Sequence, residues 1–199
     1  MTHAAADAEP RRTRTSAAGP RPVVVPRPDR RAQLVAAARL LLEAEGVEAV
    51  TVRRLGAALG IKGPSIYKHV TDKAVVISAL VSEGLGDLAD VLAGVPATFY
   101  RVAEAYRQWA QEHPHLHRLI NHHQLDRSAL PPELEERAAA PLLTACAGDR
   151  DLARAAWATI IGLVDLELAG RFPPDADIAA AYTAAARAYE HPRLRSSGR

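Results

Sequence analysis

An all-α fold follows from three features of this 199-residue chain. Alanine supplies a large share of the 48% hydrophobic content, while aromatic residues make up only 5%. That balance favours close-packed helices, because alanine is the best helix former and β-branched and aromatic residues prefer strands. Apolar residues recur three and four apart from residue 30 onward, and glycine, proline and threonine stand where helices begin and end. The expected architecture is an N-terminal three-helix helix-turn-helix domain over residues 30–76, joined by a long helix to an α-helical body over residues 77–190. Residues 1–29, dense in Ala, Pro and Arg, read as a disordered basic arm, and residues 191–199 as a flexible tail.

Taken in order, Leu34, Ala38, Leu41 and Leu42 form one apolar stripe that places a first helix from Arg30, and Gly46 stands where its C-terminal cap belongs. Thr51 is a suitable N-cap for a second helix, with Val52, Leu55, Ala58 and Leu59 on its buried side. Gly60 permits a tight left-handed turn. Gly63 and Pro64 then open a third helix, anchored inward by Ile66 and Val70. Thr71 caps a fourth, long helix over residues 72–92. Further helices are expected over 97–112, from Pro114, from Pro131 and Pro132 to about residue 147, over 153–170 and over 174–190.

The helix, short helix, turn, short helix spacing is that of a DNA-reading helix-turn-helix. Its third helix carries an unusual surface. Lys62, Lys68 and Lys73 are the only three lysines in the chain, and they fall beside Ser65, Tyr67 and His69. With Ile66 and Val70 turned inward, Lys62, Ser65, Lys68 and His69 lie on the outer side. Charge agrees: net charge is +6 over residues 1–75 and −4 over the rest, a basic front suited to a polyanion. Helix N-termini favour acidic residues, yet the second helix opens Thr51-Val52-Arg53-Arg54 and the fourth Thr71-Asp72-Lys73. Cations placed there suit a bound phosphate at each N-terminus.

GVEAVTVRRLGAALGIKGPSIYKHVTDKAVVISAL resembles the DNA-binding region of TetR-family transcriptional regulators. Carried over by that resemblance, Thr51, Tyr67, His69 and Lys73 are phosphate contacts, while Lys62, Gly63, Pro64, Ser65 and Lys68 face bases or the groove floor. RAAWATIIGLVDLELAGRF resembles the penultimate helix of a subgroup with a Trp-x-x-x-His-Gly signature; Trp157 and Gly162 match, and Ile161 replaces the histidine. The resemblance implies a homodimer formed through the helices at 153–170 and 174–190, binding a palindromic operator in double-stranded DNA. It also implies a small-molecule ligand that releases a repressor from that operator.

No spacing secures the ligand pocket; Tyr100, Tyr106, Trp109, Asn121, His122, Trp157 and Ile161 are the candidates for its wall. Five of the eight histidines, His113, His115, His117, His122 and His123, lie in EHPHLHRLINHHQLD. Of these, His115 and His122 share a helix face, but no HExxH spacing occurs and no carboxylate falls at a matching position on that helix. The reading therefore assigns no metal, no cofactor and no catalytic residue. A metal-dependent protein built on His113–His123, or a non-specific DNA-binding protein, are the alternatives. A single cysteine, Cys146, without a His or Asn partner reads as an apolar filler and suits a reducing cytoplasm. No apolar run approaches the roughly 18 residues of a membrane span, and no P-loop or dinucleotide motif is present.

Overall fold

The computed structural model describes residues 30–60, 73–124 and 126–190. Eight α-helices and two short 3-10 turns make up the regular structure among the described residues, with no strand. The third helix of the sequence reading, with Lys62, Gly63, Pro64, Ser65, Tyr67, Lys68 and His69, lies outside the described residues, as do the N-terminal arm and the tail.

Helix α1 (Arg30–Glu45) buries Leu34, Val35, Ala38 and Leu42. Gly46 ends it with a positive φ of 87°, and its N–H bonds the Leu42 carbonyl at 2.7 Å. A side chain at Gly46 would be strained in that backbone and would put its Cβ 3.2 Å from His115 Nδ1. Thr51 caps α2 (Val52–Ala58), its hydroxyl accepting the Arg54 N–H at 3.3 Å. This seven-residue helix is anchored by Leu55 and Gly56. Val52 and Leu59 are half-buried and Ala58 is exposed, so the expected four-residue stripe narrows to one deep anchor. Gly60 carries the expected positive φ, 65°.

Helix α3 (Lys73–Ala93) runs through the middle of the molecule. It buries Val76, Ile77, Leu80, Val81, Gly84, Leu85, Leu88, Ala89 and Leu92, and packs against α1 on one side and, on others, α4 (Phe99–Glu112), α5 (Pro114–His122) and α6 (Leu134–Ala145). Thr98 caps α4 through the Arg101 N–H, and Pro114 opens α5.

Besides α4, which begins at Phe99 rather than at residue 97 because Thr98 caps it, three helices start elsewhere than the spacing suggests. Helix α6 begins at Leu134 because Pro131 is spent in a turn whose carbonyl accepts the Leu134 N–H at 3.1 Å. Helix α7 (Arg150–Leu168) begins three residues early because Asp149 accepts the N–H groups of Asp151 and Leu152 at 3.0 Å. Helix α8 (Ile178–Glu190) begins four residues late, where Asp177 accepts the Ala180 N–H at 3.0 Å.

The last two helices lock onto α4. Phe99 stacks on Tyr189 with ring centroids 4.9 Å apart, and the Tyr189 hydroxyl bonds Thr159 Oγ1 at 2.6 Å. Arg107 reaches from α4 to Glu167 on α7, with Nε donating at 2.6 Å; Gln111 donates to the same carboxylate at 2.9 Å. The Arg107 guanidinium also lies over the Tyr182 ring of α8. Cys146 is buried, as a filler should be.

Among the described glycines, the tightest helix approach is at Gly84 of α3, where an added Cβ would sit 2.8 Å from Leu116 and 2.9 Å from Ile120 on α5. A methyl group there can be met by rotation of those side-chain ends, but a branched side chain cannot. Gly84→Val should therefore destabilise the protein by about 1–3 kcal/mol, read as a lower midpoint in urea unfolding, and an unchanged midpoint would contradict this packing.

Candidate nucleic-acid interface and a buried histidine cluster

Two helix N-termini border the segment that carries the candidate reading helix. At the first, Thr51 caps α2, Arg53 is exposed, and Arg54 turns back to Glu45 at the end of α1. That pair is bidentate, with Arg54 Nη1 donating at 2.8 Å and Nη2 at 2.5 Å. The hydrogen bond from Arg54 holds the Glu45 carboxyl below its ordinary value. Arg54 thus ties α2 to α1, a role within the fold that spacing alone does not reveal. At the second terminus Lys73 is exposed at the start of α3. Of the named DNA-facing candidates, Thr51, Arg53, Arg54 and Lys73 lie within the described residues.

In the body, three of the seven candidate pocket residues, Tyr106, Asn121 and His122, meet one histidine outside that set, and Trp109 and Trp157 pack on Tyr106. His117 is buried. Its Nδ1 lies 2.8 Å from the Tyr106 hydroxyl and its Nε2 lies 2.9 Å from Asp165 Oδ1 on α7. Asn121 Nδ2 donates to the Tyr106 hydroxyl and to the His117 carbonyl, both at 2.8 Å. Trp157 meets the Tyr106 ring edge-on at 4.9 Å, and Trp109 lies at 5.9 Å. His122, exposed at the last turn of α5, places Nε2 3.1 Å from the Asp165 carboxylate. Tyr100 and Ile161 are half-buried against the same core.

The electrostatics follow from burial and pairing. Desolvation pushes the His117 imidazolium below its ordinary pKa, against the opposing hydrogen bond with Asp165. Burial by itself would raise the Asp165 carboxyl, but the hydrogen bonds from His117 and His122 bring it below its ordinary value. Burial holds the Tyr106 phenol far above its ordinary pKa, so it stays protonated. The residue missed is Asp165, 48 positions from His117, which the sequence singles out only as one of five clustered histidines. A search confined to one helix face finds His115 and His122 instead, whereas His115 packs beside Gly46 and takes no part in this cluster. Tyr106→Phe removes a partner of His117 Nδ1 and one of the two acceptors at 2.8 Å from Asn121 Nδ2 and should cost about 1–3 kcal/mol, measured by thermal or urea unfolding; full stability in that variant would contradict the network.

Comparison with known proteins agrees with this geometry. Residues 34–80 match the family model described as bacterial regulatory proteins, tetR family. Residues 99–189 match that described as tetracyclin repressor-like, C-terminal domain, and together the two take in more than half of the chain. Rv0681, an uncharacterised HTH-type transcriptional regulator of Mycobacterium tuberculosis, is 33% identical over 90 residues, 42% of this chain. The chain spans only about two-fifths of that relative's length (41%). Among solved structures, SCO4313, a protein designated as regulatory, superposes with a TM-score of 0.65 at 23% identity, covering 81% of this chain and 95% of its own. A single-substitution variant of TetR from Acinetobacter baumannii AYE, solved in complex with minocycline, superposes with a TM-score of 0.54 at 20% identity over 82% of this chain and 97% of its own. The helix order, the Thr51-capped α2 ahead of a long α3, and the two matched models together place this chain in the TetR family of bacterial regulatory proteins.

Proposed function

We propose that the chain is a sequence-specific, DNA-binding transcriptional regulator, a cytoplasmic homodimeric repressor that a small molecule releases from a palindromic operator. The observation that carries the reading is the tetR-family match over residues 34–80, the stretch that contains all three lysines and both basic helix starts. Residues 30–76 form the reader, 77–190 the ligand-binding and dimerisation body, 1–29 a basic arm and 191–199 a tail. The reading includes no catalytic step. Among the described residues no helix is long and apolar enough to cross a membrane.

In this reading Thr51, Arg53, Tyr67, His69 and Lys73 hold phosphates on either side of a major groove, while Lys62, Gly63, Pro64, Ser65 and Lys68 face its floor. Arg54 joins the phosphate contacts through a side chain already oriented by Glu45. Phosphate contacts set position and overall affinity, whereas base contacts set sequence preference. One three-helix reader contacts few bases, so two copies related by a dyad are needed.

The dimer face is supported by α7 and α8. Ala155, Ala158 and Leu166 are exposed on α7 beside Gly162, where an added Cβ would meet nothing within 4 Å. Among the described residues of one chain, then, no neighbour explains Gly162, and a second copy packed on this face would. For the ligand, we take Tyr100, Tyr106, Trp109, Asn121, His122, Trp157 and Ile161 as the wall it meets. The ligand must prefer the DNA-incompetent arrangement, since one that binds both arrangements equally releases nothing.

Three variants test the division of labour. Lys73→Ala should weaken binding to every duplex and reduce the slope of log affinity against log salt by about 1, measured by fluorescence anisotropy. Lys68→Ala should instead change the preferred base at one position per half-site; equal losses on all sequences from both variants would contradict the assignment. Gly162→Arg should leave the fold intact and shift the protein from dimer to monomer in light scattering, and a persistent dimer would move the interface elsewhere.

A further inference from the structure

His117, His122 and Asp165 present one ligand atom each, and those atoms all lie within 4.8 Å of one another. We infer that they form a binding site for a divalent d-block cation, zinc foremost, with Nε2 of each imidazole and a carboxylate oxygen as ligands. The two histidines are five apart, about 140° apart around α5, so neither helical spacing nor a motif links them. Asp165 of α7 lies between them, 2.9 Å from one Nε2 and 3.1 Å from the other.

The surroundings fit a metal better than a plain hydrogen-bonded cluster. A buried His117 needs a partner for each ring nitrogen, and Tyr106 and Asp165 alone serve that need. His122 is exposed, with about half of its side chain open, and water could satisfy it equally well. Its convergence on the same carboxylate is what a ligand set requires and a buried-histidine pair does not. Metal-bound histidines carry their second nitrogen on an oriented partner. Here Nδ1 of His117 lies 2.8 Å from the Tyr106 hydroxyl, itself held by Asn121. With Nε2 on the metal, the ring proton sits on Nδ1 and is donated to the Tyr106 oxygen, which can accept from Asn121 at the same time.

The donor set selects the ion. Two imidazoles and one carboxylate suit zinc and its d-block neighbours, whereas magnesium and calcium take oxygen donors. Zinc bonds nitrogen and oxygen at about 2.0–2.2 Å, so tetrahedral ligand atoms stand about 3.3 Å apart. The separations from Asp165 need to open by a few tenths of an ångström, and the two Nε2 atoms, which lie within 4.8 Å of one another, need to come to about the same spacing. His122, at the end of α5 and exposed, supplies the movement and leaves a fourth position towards solvent. A bound ion would clamp α5 to α7, and α5 is also the helix that meets α1 through the His113–Glu43 contact of 3.0 Å and α3 at Gly84.

The test is titration of the untagged full-length protein with Co²⁺, followed by its visible d–d absorption, and then competition with Zn²⁺. The wild type should take up one equivalent with the intense bands of a low-symmetry four-coordinate site, and Zn²⁺ should abolish them. His122→Ala and Asp165→Asn should each weaken binding at least tenfold, while the exposed neighbour His123→Ala should not. Circular dichroism checks that each variant is folded; if Asp165→Asn is not, the exposed His122→Ala decides alone. Wild-type affinity no higher than that of His122→Ala, or binding that His122→Ala leaves intact, would overturn the site.

Discussion

The structure depends on the contact between α3 and α5 at Gly84. Helix α3 packs on α1 of the N-terminal region as well as on α4, α5 and α6 of the body. Close packing of this kind transmits displacement because interiors have little free volume to absorb it. At Gly84 the two helices approach so nearly that Leu116 and Ile120 occupy the space a side chain would need. A shift of α5 must therefore be passed to α3 or taken up by rearranging those two residues. The rest of the core, from Leu42 and Leu55 to Leu88, Leu92 and Phe99, fixes α3 relative to the helices on either side.

Helix α5 is correspondingly well connected for nine residues. Its start touches the end of α1, through His113 to Glu43 and through His115 to the backbone of Gly46. Its middle supplies His117 to Tyr106 of α4 and Asp165 of α7. Helix α7 continues into the small-residue face that the dimer reading assigns to the second copy. A chain of direct contacts thus runs from that face through Asp165 and α5 to α1 and α3. Spatial continuity of this sort defines where coupling could travel; two distinct arrangements of these elements are what would make it allosteric.

Much of this fold is legible in local residue chemistry. Gly46, Thr51, Gly60 and Pro114 act within a turn of their own position, and each marks a boundary that the chain alone discloses. The less legible starts also have local causes, but competing ones: Pro131 and Pro174 look like helix openers, while Asp149 and Asp177 are the caps that operate. The candidate site is legible in part. Tyr106, Trp109, Asn121, His122 and Trp157 stand out as unusual side chains on an alanine-rich body, and His117 as one of five clustered histidines, yet Asp165 does not stand out at all. His117 meets Asp165 across 48 positions, and no period on one helix encodes a meeting between two. Arg54 shows the converse case, a cation that looks misplaced at a helix start until Glu45, nine residues earlier, is seen beside it.

The account is tested most directly by a DNase footprint of the purified protein on the DNA flanking its own gene, at physiological salt. A dimer that reads DNA through residues 62–73 should protect a palindrome whose half-sites are centred about one helical turn, or a multiple of it, apart. Diffuse protection of all sequences alike by a folded dimer, with a steep loss of binding as salt rises, would contradict sequence-specific regulation and leave a purely electrostatic DNA-binding protein in its place.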